Sequence, residues 1–255
     1  MGVKTRWLWL IRCLTSQLQS SGTQLTTDSA ELVPGGDSPI QLLPGITLEV
    51  CADYCLVQSQ QLLEVLSSAP LNGGFCKASN FLNWQVGTTT FRESPAATLL
   101  KQAQRLKLPG LSVAMMTAAS MKSMRWAQRT QGSLGFTAVV TTGLANSRRA
   151  GDVADEEASP GTINLLLLSH QRLSPGAMVE AIAMATEAKA AALQNANILS
   201  AKSGLVATGT GTDCTAVACC PSPEELEYVG KHTRAGELLA KACVAAIEQS
   251  LEWYS

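Results

Sequence analysis

Histidine, charge and long hydrophobic runs are all scarce in this 255-residue sequence. Only two histidines are present, His170 and His232, so one chain cannot supply the three-histidine zinc site that some hydrolases use. The zinc-protease pattern H-E-x-x-H and the nucleophile-elbow pattern G-x-S-x-G are both missing, which removes two common routes to hydrolysis. No apolar run is long enough to cross a bilayer, and the pattern at the start of the chain does not favour a secretory signal.

Charged residues make up only 15% of the chain, and its net charge is −1. A protein without a basic excess cannot neutralise many phosphates, so we expect no nucleic-acid partner. The eight cysteines include no C-x-x-C pair, and several lie in apolar runs, where a thiol behaves as a small hydrophobic group. This use of cysteine favours a reducing, cytoplasmic location over a disulfide scaffold. Because no apolar run is long enough to cross a bilayer, we also expect no membrane partner.

The chain divides by composition at about residue 44. Residues 15–44 are rich in Ser, Thr, Gln, Gly and Pro, so we interpret residues 1–44 as a variable extension that need not be ordered. Residues 45–255 have the length of one large domain, and the chain as a whole is 46% hydrophobic, as a folded protein is.

The hydrophobic pattern of the domain predicts strands interspersed with helices. Strands are expected at 46–52, 113–118, 136–141 and 163–168, with 136–141 and 163–168 as an antiparallel pair. Segment 62–66 is interpreted as the hairpin partner of the first strand, and 205–208 with 215–218 as a hairpin. Helices are expected to begin at Pro95 and Pro175, and an amphipathic helix is expected at the C-terminus. The prediction is an α+β fold, a layered domain with mixed, largely antiparallel sheets and packed helices.

Seven polar or glycine-bearing blocks are attached to these apolar runs, which is typical of loops that line a polar ligand site. The blocks are 69–74, 114–119, 141–152, 160–164, 185–189, 207–213 and 230–233. In this order, over residues 45–250, they resemble the adenosylcobinamide amidohydrolase family, which salvages corrinoids in prokaryotes. The resemblance implies an enzyme that hydrolyses the aminopropanol amide of adenosylcobinamide to adenosylcobyric acid and 1-amino-2-propanol. It implies a small-molecule corrinoid as substrate and no firm cofactor; a divalent metal and a homo-oligomer both stay open.

Three residues are candidates for acid–base catalysis of amide hydrolysis: Asp213, His232 and Glu187. Each has a structural alternative. Asp213 ends a Thr-Gly-rich turn that its carboxylate would hold together, His232 precedes a helix, and Glu187 would lie on a solvated helix face. We interpret His170 as a surface-loop residue.

Substrate contacts are expected from side chains that donate to or accept from the amides of a corrinoid. These candidates are Asn72, Asn80, Thr142, Asn146, Asp152, Asn164, Thr210, Thr212 and Lys231. Asparagine, aspartate and threonine also build turns for local reasons, so each has a structural alternative. No spacing signature of a metal site is present.

Two other functions stay open at this point. The same loops would serve a non-catalytic corrinoid-binding protein. They would also serve another hydrolase or transferase with a Thr or Ser nucleophile, for which Thr117 and Ser120 are candidates.

Overall fold

The computed structural model describes residues 26–28, 38–87, 93–155 and 161–254. Its strands are β1 (Thr26–Asp28), β2 (Ile40–Leu43), β3 (Ile46–Val50), β4 (Tyr54–Ser67), β5 (Gly74–Gln85), β6 (Ser112–Thr117), β7 (Arg125–Gln131), β8 (Leu134–Thr141), β9 (Ser147–Arg148), β10 (Asn164–Ser169), β11 (Arg172–Leu173), β12 (Gly209–Thr210), β13 (Cys214–Cys219) and β14 (Glu225–Leu226). The helices are α1 (Pro95–Arg105), α2 (Pro175–Asn195) and α3 (Arg234–Leu251), with 3₁₀ turns at Met121–Ser123 and Glu252–Tyr254.

Ten strands of the described ranges form one mixed sheet. Eight of them run in the order β1-β7-β8-β10-β13-β4-β3-β2, while β5 pairs with β4 and β6 pairs with β5. Most neighbours are antiparallel; β10 with β13 and β5 with β6 are the parallel pairs of this sheet. The predicted antiparallel pair of 136–141 and 163–168 is confirmed as β8 and β10.

Strand β4 curls the sheet because it contains a large bulge. Its pairing with β5 jumps from Gln58–Asn80 to Leu63–Ala78, so five steps along β4 oppose two along β5. Before the bulge β4 pairs with β3, and after it with β13. The curl brings β5 opposite β8 and β10, where Asn83 donates to Thr141 Oγ1 at 2.8 Å.

Apolar side chains fill the curl and both of its outer faces. The interior cluster includes the fully buried Leu48, Leu63 and Val65, and full burial of one such side chain contributes about 1.5–3 kcal/mol. Helices α2 and α3 cover the outer face of β7, β8, β10 and β13, whereas α1 covers β5 and β6. The layered α+β prediction is therefore confirmed.

The helices begin where their capping residues predict. Ser94 and Ser174 each accept a hydrogen bond from the backbone N–H three residues later and are followed by proline, and Thr233 caps α3 through the same kind of hydrogen bond. Alanines of α2 pack directly on the sheet, since a side chain of one carbon permits close approach of helix and strand.

Two strand predictions are wrong. Segment 62–66 is not a separate hairpin partner, because β4 runs continuously to Ser67 and pairs with β3 through residues 55–59. Segment 215–218 does not form a hairpin with 205–208; it lies in β13, between β10 and β4. Such long-range pairing leaves no mark on local sequence.

Strands β1 and β2 lie in the part of the chain assigned to the extension. β1 pairs with β7 at one edge of the sheet, and β2 pairs with β3 at the other. In the described part of the chain, no helix has the length and apolar character needed to span a membrane.

Candidate functional site

Six of the seven polar blocks meet at one end of the sheet, which we call the loop end. Strand β8 ends there, while β10 and β13 begin there, because β8 is antiparallel and β13 parallel to β10. The turn at 68–74 joins them through the hydrogen bond from Ser68 N to Thr215 O, at 3.0 Å. The block at 114–119 also reaches this end, because its Ala119 lies against Gly143 of the block at 141–152.

Three glycines let the loops of this end approach each other closely, and we call them the glycine cradle: Gly161, Gly209 and Gly211. Gly161 has a φ of +132°, and a Cβ there would lie 2.6 Å from Asn146 N. A Cβ on Gly211 would lie 2.5 Å from Asn146 Nδ2. Asn146 also accepts a hydrogen bond from Gly211 N at 3.1 Å, so this buried residue joins two loops of the cradle.

The carboxylate of Asp213 lies at the centre of the cradle. It accepts hydrogen bonds from Ile163 N at 2.9 Å and Thr210 N at 3.0 Å, and another from Thr210 Oγ1. These bonds join the beginning of β10 to the turn before β13. Asp213 thus holds the turn as the structural alternative expected, and it also presents a negative charge at the loop end.

Lys189 forms an ion pair with Asp213, and both side chains are about nine-tenths buried (10% and 11% exposed). The sequence interpretation selected Glu187 from this block and missed Lys189. A signal was available: Lys189 is four residues from Ala185 and from Leu193, both on the buried stripe of α2. A lysine on that stripe has to meet a partner inside the protein.

Cys214, next to Asp213, stays a thiol. Burial raises the pKa of Cys214, and the charge of Asp213 raises it further. Since the thiolate is the nucleophilic form, this cysteine is not equipped to attack an amide at neutral pH.

Two further threonines, Thr162 and Thr212, lie beside the glycines of the cradle. Thr212 Oγ1 and Thr162 Oγ1 are hydrogen-bonded, and Thr212 Oγ1 also donates to Gly161 O at 3.2 Å. Gly211 and Thr212 are exposed, so the cradle opens to solvent on this side.

Asp152 and Thr142 have structural partners near the cradle. Asp152 accepts hydrogen bonds from Ser200 Oγ and from Arg149 N, and the bond from Ser200 is the largest of the effects that lower the pKa of Asp152 to about 2. Thr142 is fully buried and donates to Ser250 O at 3.2 Å, which fixes the end of α3 to the end of β8.

Each of the three other asparagine candidates donates to a partner within the fold. Asn72 is exposed, with a φ of +56°, and donates to Ser112 O at 2.8 Å. Asn80 is buried in β5 and donates to Pro109 O. Asn164 faces the inside of the curl and donates to Asn83 Oδ1 and Met116 O. The side-chain amides of Asn80 and Asn164 are therefore already hydrogen-bonded within the fold.

Glu187, Lys231 and His232 form a second group, separate from Asp213. Glu187 and Lys231 make an exposed ion pair, and His232 is exposed beside them. Positions 187 and 189 of α2 differ by about 200° around the helix axis, so this group and the Lys189–Asp213 pair lie on opposite flanks of α2. The structure therefore does not bring together the three predicted catalytic residues.

Both candidate hydroxyl nucleophiles cap turns. Thr117 Oγ1 accepts from Ala119 N at 3.0 Å, and Ser120 Oγ accepts from Lys122 N at 3.3 Å. Within the described ranges neither hydroxyl is hydrogen-bonded to a histidine, lysine or carboxylate that would activate it.

His170 lies in the bend between β10 and β11, as the loop interpretation expects, but it is half-buried rather than exposed at the surface. Its ring packs against Gly135, and its Nε2 lies 3.0 Å from Thr137 Oγ1 and 3.3 Å from Gln128 Nε2. Burial lowers the pKa of His170 to about 4. His170 follows β10, at the opposite end of the sheet from the cradle, so it belongs to the fold.

Cavities and metal ligands do not single out another site. The described residues contain no cluster of three His, Cys, Asp or Glu side chains able to hold a metal ion. A cavity of about 410 Å³ lies between Leu144, the end of α2 and Tyr254, and one of about 390 Å³ lies beside the β4 bulge. The titratable group among the lining residues of the second cavity is Cys220, and burial raises the pKa of Cys220 to about 11, which keeps it in the thiol form.

Comparison with known proteins agrees with the resemblance carried by the seven blocks. The family model described as adenosylcobinamide amidohydrolase matches residues 41–255. An adenosylcobinamide amidohydrolase of Methanosarcina mazei is 30% identical over 194 residues, which cover 72% of this chain and 88% of that protein. One of Halobacterium salinarum is 35% identical over 120 residues, covering 44% and 48% of the two chains. An uncharacterized protein of Methanocaldococcus jannaschii is 42% identical over 92 residues, 36% of each chain. The chain therefore belongs to the adenosylcobinamide amidohydrolase family.

Proposed function

We propose that this protein hydrolyses adenosylcobinamide at the amide bond to 1-amino-2-propanol and releases adenosylcobyric acid in corrinoid salvage. The observation that carries the proposal is the family match over residues 41–255. The relative from Methanosarcina mazei, which bears the amidohydrolase name, is matched over 88% of its length.

We place the scissile amide at the glycine cradle. Two features support this position: six of the family-like blocks meet at the loop end, and Asp213 with Lys189 supplies opposite charges there. The cradle glycines let the loops that carry Asn146 and Asp213 approach each other closely, and the exposed Gly211 and Thr212 lie at the surface where a substrate amide would reach them. The corrinoid macrocycle would remain outside, because the amide lies on a side chain of the ring.

We also propose a reducing, cytoplasmic location. Seven described cysteines are free, and four of them are buried as thiols, at positions 55, 214, 219 and 243. Burial raises the pKa of Cys55 and Cys243 to about 12, which keeps both in the thiol form.

The activity is tested with the purified protein and adenosylcobinamide. Chromatography of the corrinoid should show conversion to adenosylcobyric acid, together with one equivalent of free 1-amino-2-propanol. The assay is run over a range of pH, with divalent metals added and with a chelator, so that it also measures the metal requirement.

Two outcomes contradict the proposal. Stoichiometric binding of the corrinoid, seen as a shift of its absorption spectrum without release of amine, would identify a binding protein. A covalent adduct on a threonine or serine, detected by mass spectrometry without release of 1-amino-2-propanol from adenosylcobinamide, would identify a nucleophilic hydrolase or transferase of another kind.

A further inference from the structure

Lys189 is a buried cation with hydrogen-bonding capacity to spare. A lysine ammonium has three N–H donors, and in the described part of the chain Lys189 Nζ has one acceptor, Asp213 Oδ2. Its side chain is 10% exposed, so bulk water does not surround the other two donors. A substrate oxygen that enters the cradle would meet them.

The cradle is shaped around this ion pair. A Cβ on Gly209 would lie 2.4 Å from Asp213 Oδ2 and 3.2 Å from Lys189 Nζ, so any larger residue would push the pair apart. Other described cations of the loop end have other partners: Arg148 and Lys202 pair with Asp155, and Arg149 donates to Val206 O at 2.9 Å. Lys189 is thus the cation that the cradle holds in place.

Stability alone does not account for this arrangement. The free energy needed to desolvate two charges is about as large as the free energy gained from their attraction. Apolar replacements of buried ion pairs are therefore often neutral or stabilising. The buried stripe of α2 already packs through alanine and leucine, so an apolar side chain at 189 would suit the fold.

We propose that Lys189 is a catalytic residue that stabilises the oxyanion of amide hydrolysis, and that Asp213 is a positioning residue that holds Lys189. The inference rests on the proposed function. Water oxygen forms a bond to the amide carbon, and the C=O π pair moves onto oxygen, where Lys189 N–H groups donate to it. The oxyanion pair then re-forms the C=O bond as the C–N bond breaks with its electron pair on nitrogen, and both protons of the water pass to the leaving nitrogen. The products are a carboxylate and a protonated aminopropanol.

A double variant separates this role from a structural one. Lys189→Met with Asp213→Asn removes both charges together, so no unpaired buried charge remains to unfold the protein. If Lys189 stabilises the oxyanion, the double variant folds but its kcat falls by about 100-fold or more, the cost of losing one oxyanion donor. If the pair is structural only, the folded double variant keeps kcat within about threefold, and the inference is overturned.

The control is a matched exposed ion pair, Lys101 with Glu93 on and before α1. Lys101→Met with Glu93→Gln should leave kcat unchanged. Wild-type protein is assayed first: an inactive wild type defeats the proposed function, whereas an active wild type with an active double variant defeats only the role of Lys189.

Lys189→Arg gives a second measurement, in case the double variant does not fold. Arginine keeps the charge and can pair with Asp213, but it places its donors differently. The inference expects kcat to fall at least tenfold with KM and the thermal midpoint little changed. Wild-type kcat in this variant would mean that a positive charge beside Asp213 is all that the site requires, which would overturn the role of Lys189 as a positioned donor.

Discussion

At the scale of single residues, Asp213→Asn preserves the size of the side chain and removes the charge that faces Lys189. Because the cradle is the proposed reaction site, we expect turnover to fall by about 100-fold or more, the size of a lost acid–base or oxyanion contribution. His232 lies on the other flank of α2, so His232→Ala should lower turnover far less. Steady-state kinetics with adenosylcobinamide compares the two, with the exposed Asp53→Asn as control. Circular dichroism first shows that each variant is folded, because Asp213→Asn leaves the buried Lys189 without its partner charge. A hundredfold loss in His232→Ala alone would move the reaction to the Glu187–Lys231 side of α2.

His170 should make stability depend on pH. Its pKa is about 4 in the folded protein, below the value near 6.5 of an unfolded histidine, so folding favours the neutral ring. Stability is therefore fully present above pH 6.5 and is lost as pH falls from 6.5 towards 4. The urea midpoint should drop between pH 7 and pH 5, and His170→Gln should reduce that drop.

The control for this experiment is His232→Gln, which replaces the exposed histidine and should leave the difference between pH 7 and pH 5 as in wild type. An unchanged drop in His170→Gln would show that other groups cause it.

Lys189 illustrates what the sequence reveals about a site. Its position on the apolar stripe of α2 marks it as buried, but the sequence does not say which acidic residue it meets. Asp213 is 24 residues away and follows a separate loop. Glu187, two residues before Lys189, has the same polar character and lies in solvent. Burial can be inferred from spacing, whereas the partner depends on the tertiary fold.

At the scale of elements, the cradle depends on glycine for space as well as for backbone conformation. Gly161 and Gly151 both have positive φ, of +132° and +95°, but their surroundings differ. A Cβ added at Gly161 would meet the backbone of Asn146, whereas a Cβ at Gly151 would have nothing within 4 Å. Gly161→Ala should therefore lower the free energy of unfolding by about 1–3 kcal/mol more than Gly151→Ala, and it should also lower activity. Urea denaturation and the corrinoid assay measure both effects. Equal losses in the two variants would mean that the contact of Gly161 with Asn146 is easily relieved.

Short sequence signals predict where a helix begins, but they do not predict which strands pair. The Ser-Pro pairs at 94–95 and 174–175 fix where α1 and α2 begin, because capping and proline act within one turn. The position of β13 is different: it pairs with β4 across about 150 residues, from Ala216 to Ser67. The hydrophobic pattern of residues 215–218 does not indicate that β4 lies beside them.

At the scale of the whole molecule, residues 1–37 should be dispensable for folding. In the described ranges their contact with the sheet is the three-residue strand β1 on the edge of β7. Their Ser-, Thr- and Gln-rich composition buries too little apolar surface to offset the entropy of ordering. Deleting them should change the thermal midpoint by only a few degrees, measured by circular dichroism.

Deletion of residues 1–43 is the matched comparison. It also removes β2, including Leu42, which is 5% exposed in the interior cluster. Loss of one buried leucine side chain costs about 2–5 kcal/mol, so this longer deletion should lower the midpoint clearly. A shorter deletion that destabilises as much would show that the first 37 residues pack on the domain.

The position of β13 also sets the order in which this protein can be completed during synthesis. Residues 40–117 supply β2 to β6, and residues 125–169 supply β7, β8 and β10. Among the strands that the structure describes, only β13, at residues 214–219, joins the two groups in the sheet. Until that segment leaves the ribosome, β4 and β10 each present an unpaired edge to the cell. Exposed edges recruit other strands, so nascent chains stopped before residue 214 should aggregate, and the last part of translation is the interval in which a chaperone would matter most.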